Sequence, residues 1–214
     1  MKTIDIFSGE WKPEAVVLAA GDYPQVRQPL DMLGSAPVVV CCDGAAEEYV
    51  RQTGRMPHAI VGDCDSLSAD FQQRYASILH SISEQETNDQ TKSFHFAMSE
   101  GYRRIAILGA TGKREDHTIG NIGLLADYAQ EGADVRMLTD YGVFVVCRED
   151  CEFKTYKGQE ISIFNLDATG LRSEGLVYPI YDFHKWWQGT LNVASGSRAV
   201  IRVAQGTFLV FISY

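Results

Sequence analysis

The sequence predicts an α/β chain in which a mostly parallel sheet flanked by helices is followed by a smaller antiparallel β-sandwich. Three observations predict it. Short β-branched runs alternate with helical patterns up to about residue 140, those runs are apolar throughout, and after Tyr141 strands follow one another without helices between them. A strand buried on both faces shows no inside–outside alternation, and strand–helix–strand units close by right-handed crossovers. The first part is therefore expected to be a Rossmann-like sheet, spanning residues 1–141, and the β-rich part to span 142–214.

In chain order, AVVLAAG, PVVVCCDG, HAIVGD, RIAILGA and DVRMLTD read as the strands of the first part. Between them, AAEEYVRQTG, SADFQQRYASIL, NDQTKSFHFAMSEG and HTIGNIGLLADYAQEG read as helices. Ser68 is placed to cap the second of these, and Gly54, Gly101 and Gly132 are placed to end helices in the left-handed conformation. In the second part GVFVVCRED, QEISIFNL, TLNVAS and RAVIRVAQGTFLVFIS read as strands, the last being two strands joined at Gln205–Gly206. Val200, Arg202 and Ala204 supply the alternation expected to set its register.

Composition narrows the function. The 214 residues suffice for one sizeable domain or two small ones. A formal charge of −9 argues against a general nucleic-acid or membrane-surface role, so an anionic substrate must be held by local cations. No apolar run approaches the roughly 18 residues of a membrane span, and the first residues lack the regions of a signal peptide, which makes the cytoplasm the expected compartment. The five cysteines, Cys41, Cys42, Cys64, Cys147 and Cys151, show no paired spacing and read as reduced, packed thiols.

In an open parallel sheet, ligands bind beyond the carboxyl ends of the strands. Asp43 follows one strand, Asp63 and Asp65 follow the next, and Asp116 lies in the loop after RIAILGA. Asp89 sits at a helix start, where a carboxylate also suits the macrodipole. Clustered carboxylates repel one another unless a cation lies among them, and hard oxygen ligands suit magnesium. The spacing Asp63-x-Asp65 fits one ion if the segment is extended, because alternate side chains then share a face. Taken alone, GDCDS reads equally as an Asx-turn followed by a helix cap. GATGKRED is not a Walker motif, since Gly109 and Gly112 are too close and Arg114 follows Lys113. Its glycines can still let backbone N–H groups approach a phosphate, with Arg114 and Lys92 supplying positive charge.

Four segments, CCDGAAEEY, IVGDCDSL, QETNDQTKSF and ILGATGKREDHTIGNIGLL, stand in the order and approximate spacing of motifs of the thiamin pyrophosphokinases. There the patterns read roughly D-G-[GA]-[AC], G-D-x-D-S, Q-x-x-T-D-x-x-K and G-x-x-G-[GR]-R-x-D-H, and the likeness runs from about residue 38 onward. The resemblance implies ATP as co-substrate, Mg2+, thiamin bound with help from the β-rich domain, and a homodimer with active sites between subunits. It implies Asp63, Asp65 and Asp89 as metal ligands, with Lys92, Arg114 and Asp116 joining them in catalysis. Asp43, Gly44, Gln85, Lys92, Gly109, Arg114, Asp116 and Ser195 are the expected substrate contacts. Asn88 stands where the family has threonine, Cys64 where an aromatic is common, and Ser195-Gly196 where it has Ser-Asn.

The implied reaction is attack of the thiamin hydroxyl on the β-phosphorus of ATP, giving thiamin diphosphate and AMP, with Asp89 or Asp116 taking the proton. Trp186 and Trp187 are candidates for stacking on thiamin, although tryptophans more often anchor cores or interfaces. His117 suits helix-start hydrogen bonding as well as catalysis, and His58, His80, His95 and His184 have no ligand-like spacing. Two other classes share these acidic loops: a different magnesium-dependent phosphoryl or nucleotidyl transferase, and a sensor that binds nucleotide or thiamin without turnover.

Overall fold

In the computed structural model, which describes residues 1–214, the chain divides into two compact units, Pro13–Asp140 and Met1–Lys12 with Tyr141–Tyr214. The first strand, β1 (Lys2–Ile4), belongs to the second of these. This corrects the expected boundary at the amino end: β1 pairs with a strand beginning at Cys151, and Ile4 is buried there.

The unit Pro13–Asp140 runs β2 (Ala15–Leu18), α1 (Arg27–Ser35), β3 (Val39–Cys42), α2 (Asp43–Thr53), β4 (Ala59–Gly62) and α3 (Ala69–Arg74). It continues through β5 (Leu79–Ser81), α4 (Asp89–Ser99), β6 (Arg104–Leu108), α5 (Glu115–Gln130) and β7 (Asp134–Leu138). All its strand pairs are parallel, in the order β7-β6-β2-β3-β4-β5. Every residue of β2, β3 and β4 is buried, which is why the sequence shows unbroken apolar runs there. The chain steps outward from β2 to β5 and then returns to β6 on the other side, so the direction of winding reverses between β2 and β6.

Helix ends follow the local chemistry. Ser68 accepts from Phe71 N–H at the start of α3, Asn88 accepts from Thr91 N–H at the start of α4, and Gly54 ends α2 with φ +65°. Gly101 and Gly132 likewise follow α4 and α5 with positive φ. Two elements depart from expectation. α1 was not signalled, because it is short, carries Pro29 and Gly34, and buries only Pro29 and Leu33. The segment SADFQQRYASIL is not one helix: α3 stops at Arg74, a 3-10 turn covers Ala76–Ile78, and the chain then pairs with β4 as β5. Edge pairing outweighs the helical pattern there.

The second unit holds the four-stranded sheet β1-β9-β13-β11 and the run β12-β10-β14-β8, which forms part of a ten-stranded sheet. Its remaining strands are β8 (Gly142–Cys147), β9 (Cys151–Lys154), β10 (Glu160–Asn165), β11 (Arg172–Glu174), β12 (Gly189–Val193), β13 (Arg198–Arg202) and β14 (Phe208–Ser213). Every pair is antiparallel except β1 with β9. β13 and β14 flank Gln205–Gly206 as expected, but they enter different sheets, so the turn is a crossing rather than a hairpin. Ala199, Val200 and Ile201 are all buried in β13 and Ala204 lies beyond it, so strict alternation does not set its register. All five cysteines are free and buried. No helix is long and apolar enough to cross a membrane.

Candidate active site

The carboxyl ends of the parallel strands open onto a cavity of about 410 Å³. Its wall takes Asp43 from the start of α2, Asp63 from the loop after β4, Gln85 and Asp89 from the approach to α4, Lys92 one turn on, and Arg114 before α5. Residues scattered between positions 43 and 114 meet because each follows a strand of the same sheet or begins the next helix.

Asp43 is almost fully buried, with 1% of its surface exposed. One carboxylate oxygen accepts from Gly44 N–H at 2.5 Å and the other from Cys64 N–H at 3.0 Å. A side chain at Gly62 would place its Cβ 2.8 Å from the Asp43 Cγ, so the strand end must be glycine for the carboxyl to lie there. Burial, and then the negative charge of Asp89, push the Asp43 carboxyl above its ordinary value. Asp63 goes the other way: the hydrogen bond from Asp65 N–H, followed by that from Gln85, holds its carboxyl down. Those bonds measure 3.1 Å and 3.3 Å.

The pairing of Asp63 with the backbone of Asp65 is an Asx-turn, and Cys64 within it has φ +70°. The segment is therefore not extended, and the geometry expected to place Asp63 and Asp65 on one face does not form. Asp65 is exposed and lies outside the cavity wall.

Lys92 is buried with its Nζ 3.4 Å from an oxygen of Asp89, whose side chain is about one-third exposed. A lysine held this far from water requires a lasting anionic partner, or an anionic ligand beside it. Arg114 lines the cavity, but Asp116 does not: both oxygens of Asp116 bind the Arg114 guanidinium, at 3.1 and 2.5 Å. That contact keeps the Asp116 carboxyl below its ordinary value. His117 donates its backbone N–H to Asp116 and also contributes to the wall. Cys42 lines the cavity too, yet burial pushes its thiol up to about 12, which removes it as a nucleophile near neutral pH.

Of the other expected contacts, Gly44 borders a neighbouring cavity and Gly109 borders neither. Ser195 is exposed in the other unit, where its N–H donates to Gly175 O at 2.9 Å. Trp186 packs against Phe164 at 5.1 Å between ring centres, while Trp187 is 65% exposed. Lys113 and Asp22, passed over in the sequence, border these cavities. Lys113 was legible in GATGKRED, but Asp22 carried no pattern of its own.

No three of the His, Cys, Asp or Glu side chains form a metal-holding group. Of the three carboxylates that border the cavity, Asp43 is almost fully buried, which leaves Asp63 and Asp89 as the part-exposed ones. Magnesium is commonly held by one or two carboxylates, with waters and substrate phosphates completing its shell, so this donor set fits an ion arriving with a polyphosphate.

Fold and cavity together define a protein of two units, a doubly wound parallel α/β unit with its polar site at the strand ends and an antiparallel β unit. Comparison with known proteins gives this class a family. The model described as thiamin pyrophosphokinase, catalytic domain, matches residues 30–137, and that described as thiamin pyrophosphokinase, substrate-binding domain, matches residues 142–211. The chain belongs to the thiamin pyrophosphokinase family. Thiamin pyrophosphokinase 1 of Caenorhabditis elegans is 26% identical over 107 residues, a match that spans 46% of this chain and 44% of that relative. The solved thiamin pyrophosphokinase from Candida albicans superimposes with a TM-score of 0.77 at 19% identity, covering 99% of this chain and 92% of that one. Thiamine pyrophosphokinase from Bacillus subtilis gives 0.74 at 18% identity, covering 93% and 98%. At these identities the structural likeness establishes the fold.

Proposed function

We propose that this chain transfers the pyrophosphoryl group of ATP to the hydroxyl of thiamin, giving thiamin diphosphate and AMP. The observation that carries the reading is the meeting of Asp63, Asp89 and the buried Lys92 at one cavity beyond the strand ends, in a chain whose two parts match the two domains of the family. Such transfers depend on alignment and charge neutralisation more than on covalent chemistry by the protein.

In this reading Asp63 and Asp89 hold magnesium, which neutralises phosphate charge when bound. Lys92 offers its ammonium to a non-bridging phosphate oxygen, and Arg114 leaves Asp116 to do the same from the opposite loop. Gln85 keeps Asp63 oriented through its 3.3 Å hydrogen bond. Asp89 borders the cavity whereas Asp116 does not, which favours Asp89 as the acceptor of the hydroxyl proton. The attacking oxygen bonds to the β-phosphorus, the bond from that phosphorus to the α-bridging oxygen breaks, and AMP departs with the electron pair. Thiamin binding by the β-rich unit with Ser195, a homodimeric state and a cytoplasmic location complete the proposal.

The deciding experiment incubates the purified protein with thiamin, ATP and magnesium. Thiamin diphosphate and AMP in equal amounts are expected. ADP in place of AMP would point to single phosphoryl transfer, and binding without product would leave a sensor.

A further inference from the structure

Asn88, just before α4, and Asn121, in α5, both border the cavity, and their side chains meet there: Asn88 Nδ2 donates to Asn121 Oδ1 at 2.9 Å. We propose that this amide bridge is a positioning element for the transfer, holding the α4 wall with Asp89 and Lys92 in fixed relation to the loop 109–114 that ends in Arg114. The proposal rests on the reading of the cavity as a phosphate-transfer site.

Backbone groups fix the direction of the bridge at both ends. Asn88 Oδ1 accepts from Thr91 N–H at 2.9 Å as the cap of α4, so its amino group is turned toward Asn121. Asn121 Nδ2 donates to Ala110 O at 2.8 Å, and a carbonyl can only accept, so Asn121 Oδ1 is left to face Asn88. Donor thus meets acceptor, and neither amide can turn over without losing its backbone partner.

The bridge is the outer end of a seam between α4 and α5 that grows less polar with depth. Gln90 Nε2 donates to Asn121 O at 3.3 Å, Thr91 Oγ1 lies 2.7 Å from the Tyr128 hydroxyl, and the rings of Phe94 and Tyr128 stack with centres 3.9 Å apart. Those contacts hold the helix bodies together, whereas the bridge and the Ala110 bond carry the restraint out to the cavity. There it is needed. Lys113, one residue before Arg114, has φ +54°, a strained conformation that lasts only where the surroundings over-determine it. Asn121 supplies part of that restraint through Ala110, and Asn88 holds Asn121 in turn. Asp89 follows Asn88 directly, and Lys92 lies one turn on, so a shift at this end of α4 moves both. A misplacement of about 1 Å between reacting groups costs on the order of 10²-fold in rate.

The test measures steady-state rates, urea unfolding and amide hydrogen exchange in Asn88→Ser, Asn121→Ala and the double variant. Serine caps a helix as well as asparagine does but is too short to reach Asn121. Asn88→Ser should therefore keep the urea midpoint of the unaltered protein while losing about tenfold in kcat, with KM for ATP and for thiamin within about twofold. Asn121→Ala should lose more, because the Ala110 bond goes as well, and adding Asn88→Ser to it should lower kcat no further. Amides of residues 109–114 should exchange faster in both single variants. Full kcat in Asn88→Ser, a raised KM with kcat intact, or losses that multiply in the double variant would overturn the assignment. Asn88 is exposed and its cap is kept, so Asn88→Ser remains informative if Asn121→Ala folds poorly. Failure of the unaltered protein to make thiamin diphosphate would sink the proposed function; exchange of the loop still reads the bridge, and an unchanged rate in Asn88→Ser would rule it out.

Discussion

Asp63, Asp89 and Lys92 carry opposite charges into one small cavity, and their removal should separate chemistry from folding. Asp63→Asn and Asp89→Asn are expected to lower kcat by roughly 10²–10³-fold, the range for loss of one group that stabilises transition-state charge. Circular dichroism should be unchanged in Asp63→Asn, while Asp89→Asn, which takes the anionic partner from the buried Lys92, should also unfold at lower denaturant; wild-type turnover in both variants would refute the site. Asp43 has a different part to play, because its carboxylate joins α2 to the turn after β4 through backbone N–H groups. Its folded pKa is raised above the ordinary 3.8. The stability linked to its protonation is therefore complete below that ordinary value and is lost as pH rises through the folded value. Urea unfolding of the wild type and Asp43→Asn should show the difference in stability shifting in favour of the wild type as pH falls from 7 toward about 4. A difference that does not move with pH would show that Asp43 titrates normally.

Strand ends set the positions of these side chains, so small changes in β4 and β1 should act at a distance from any polar group. Gly62→Ala would drive a Cβ into the Asp43 carboxyl at the end of β4. A loss of roughly 1–3 kcal/mol is expected, as for other overpacked sites, together with reduced turnover. Ile4 tests a different element, since β1 pairs with β9 and buries this side chain almost completely. Ile4→Ala should cost roughly 2–5 kcal/mol. Its ATP-analogue affinity should stay near wild type, because Ile4 belongs to the other unit; weakened nucleotide binding at full folding would contradict that division.

At the level of the whole molecule, the β-rich unit leaves Tyr178, Trp187 and Leu191 exposed, the last at 83%. Large apolar side chains on one segment suit a protein interface, and the proposed homodimer supplies a second copy to cover them. Light scattering should report twice the 23.8 kDa of one chain. Trp187→Glu with Leu191→Glu should shift that mass toward the single chain, whereas an unchanged dimer would place the interface elsewhere.

The sequence by itself determined the alternation of strands and helices, the helix caps at Ser68 and Gly54, and the acidic positions that follow each strand. These are local properties: burial on both faces imposes apolar runs, and a cap needs only its own turn. Its four ordered motifs also pointed to the family. Tertiary structure decided the rest. It turned the chain at Cys64 and took Asp65 out of the cavity, set both Asp116 oxygens on Arg114, drew SADFQQRYASIL partly into the sheet edge, and gave β1 to the second unit. It also brought Asp22 and Lys113 to the cavity walls. The turn at Cys64 and the Arg114–Asp116 pair join residues only two apart, where the sequence permits more than one local conformation and the fold selects one; the others depend on which distant segment a strand or a side chain meets, and sequence spacing does not encode that partner.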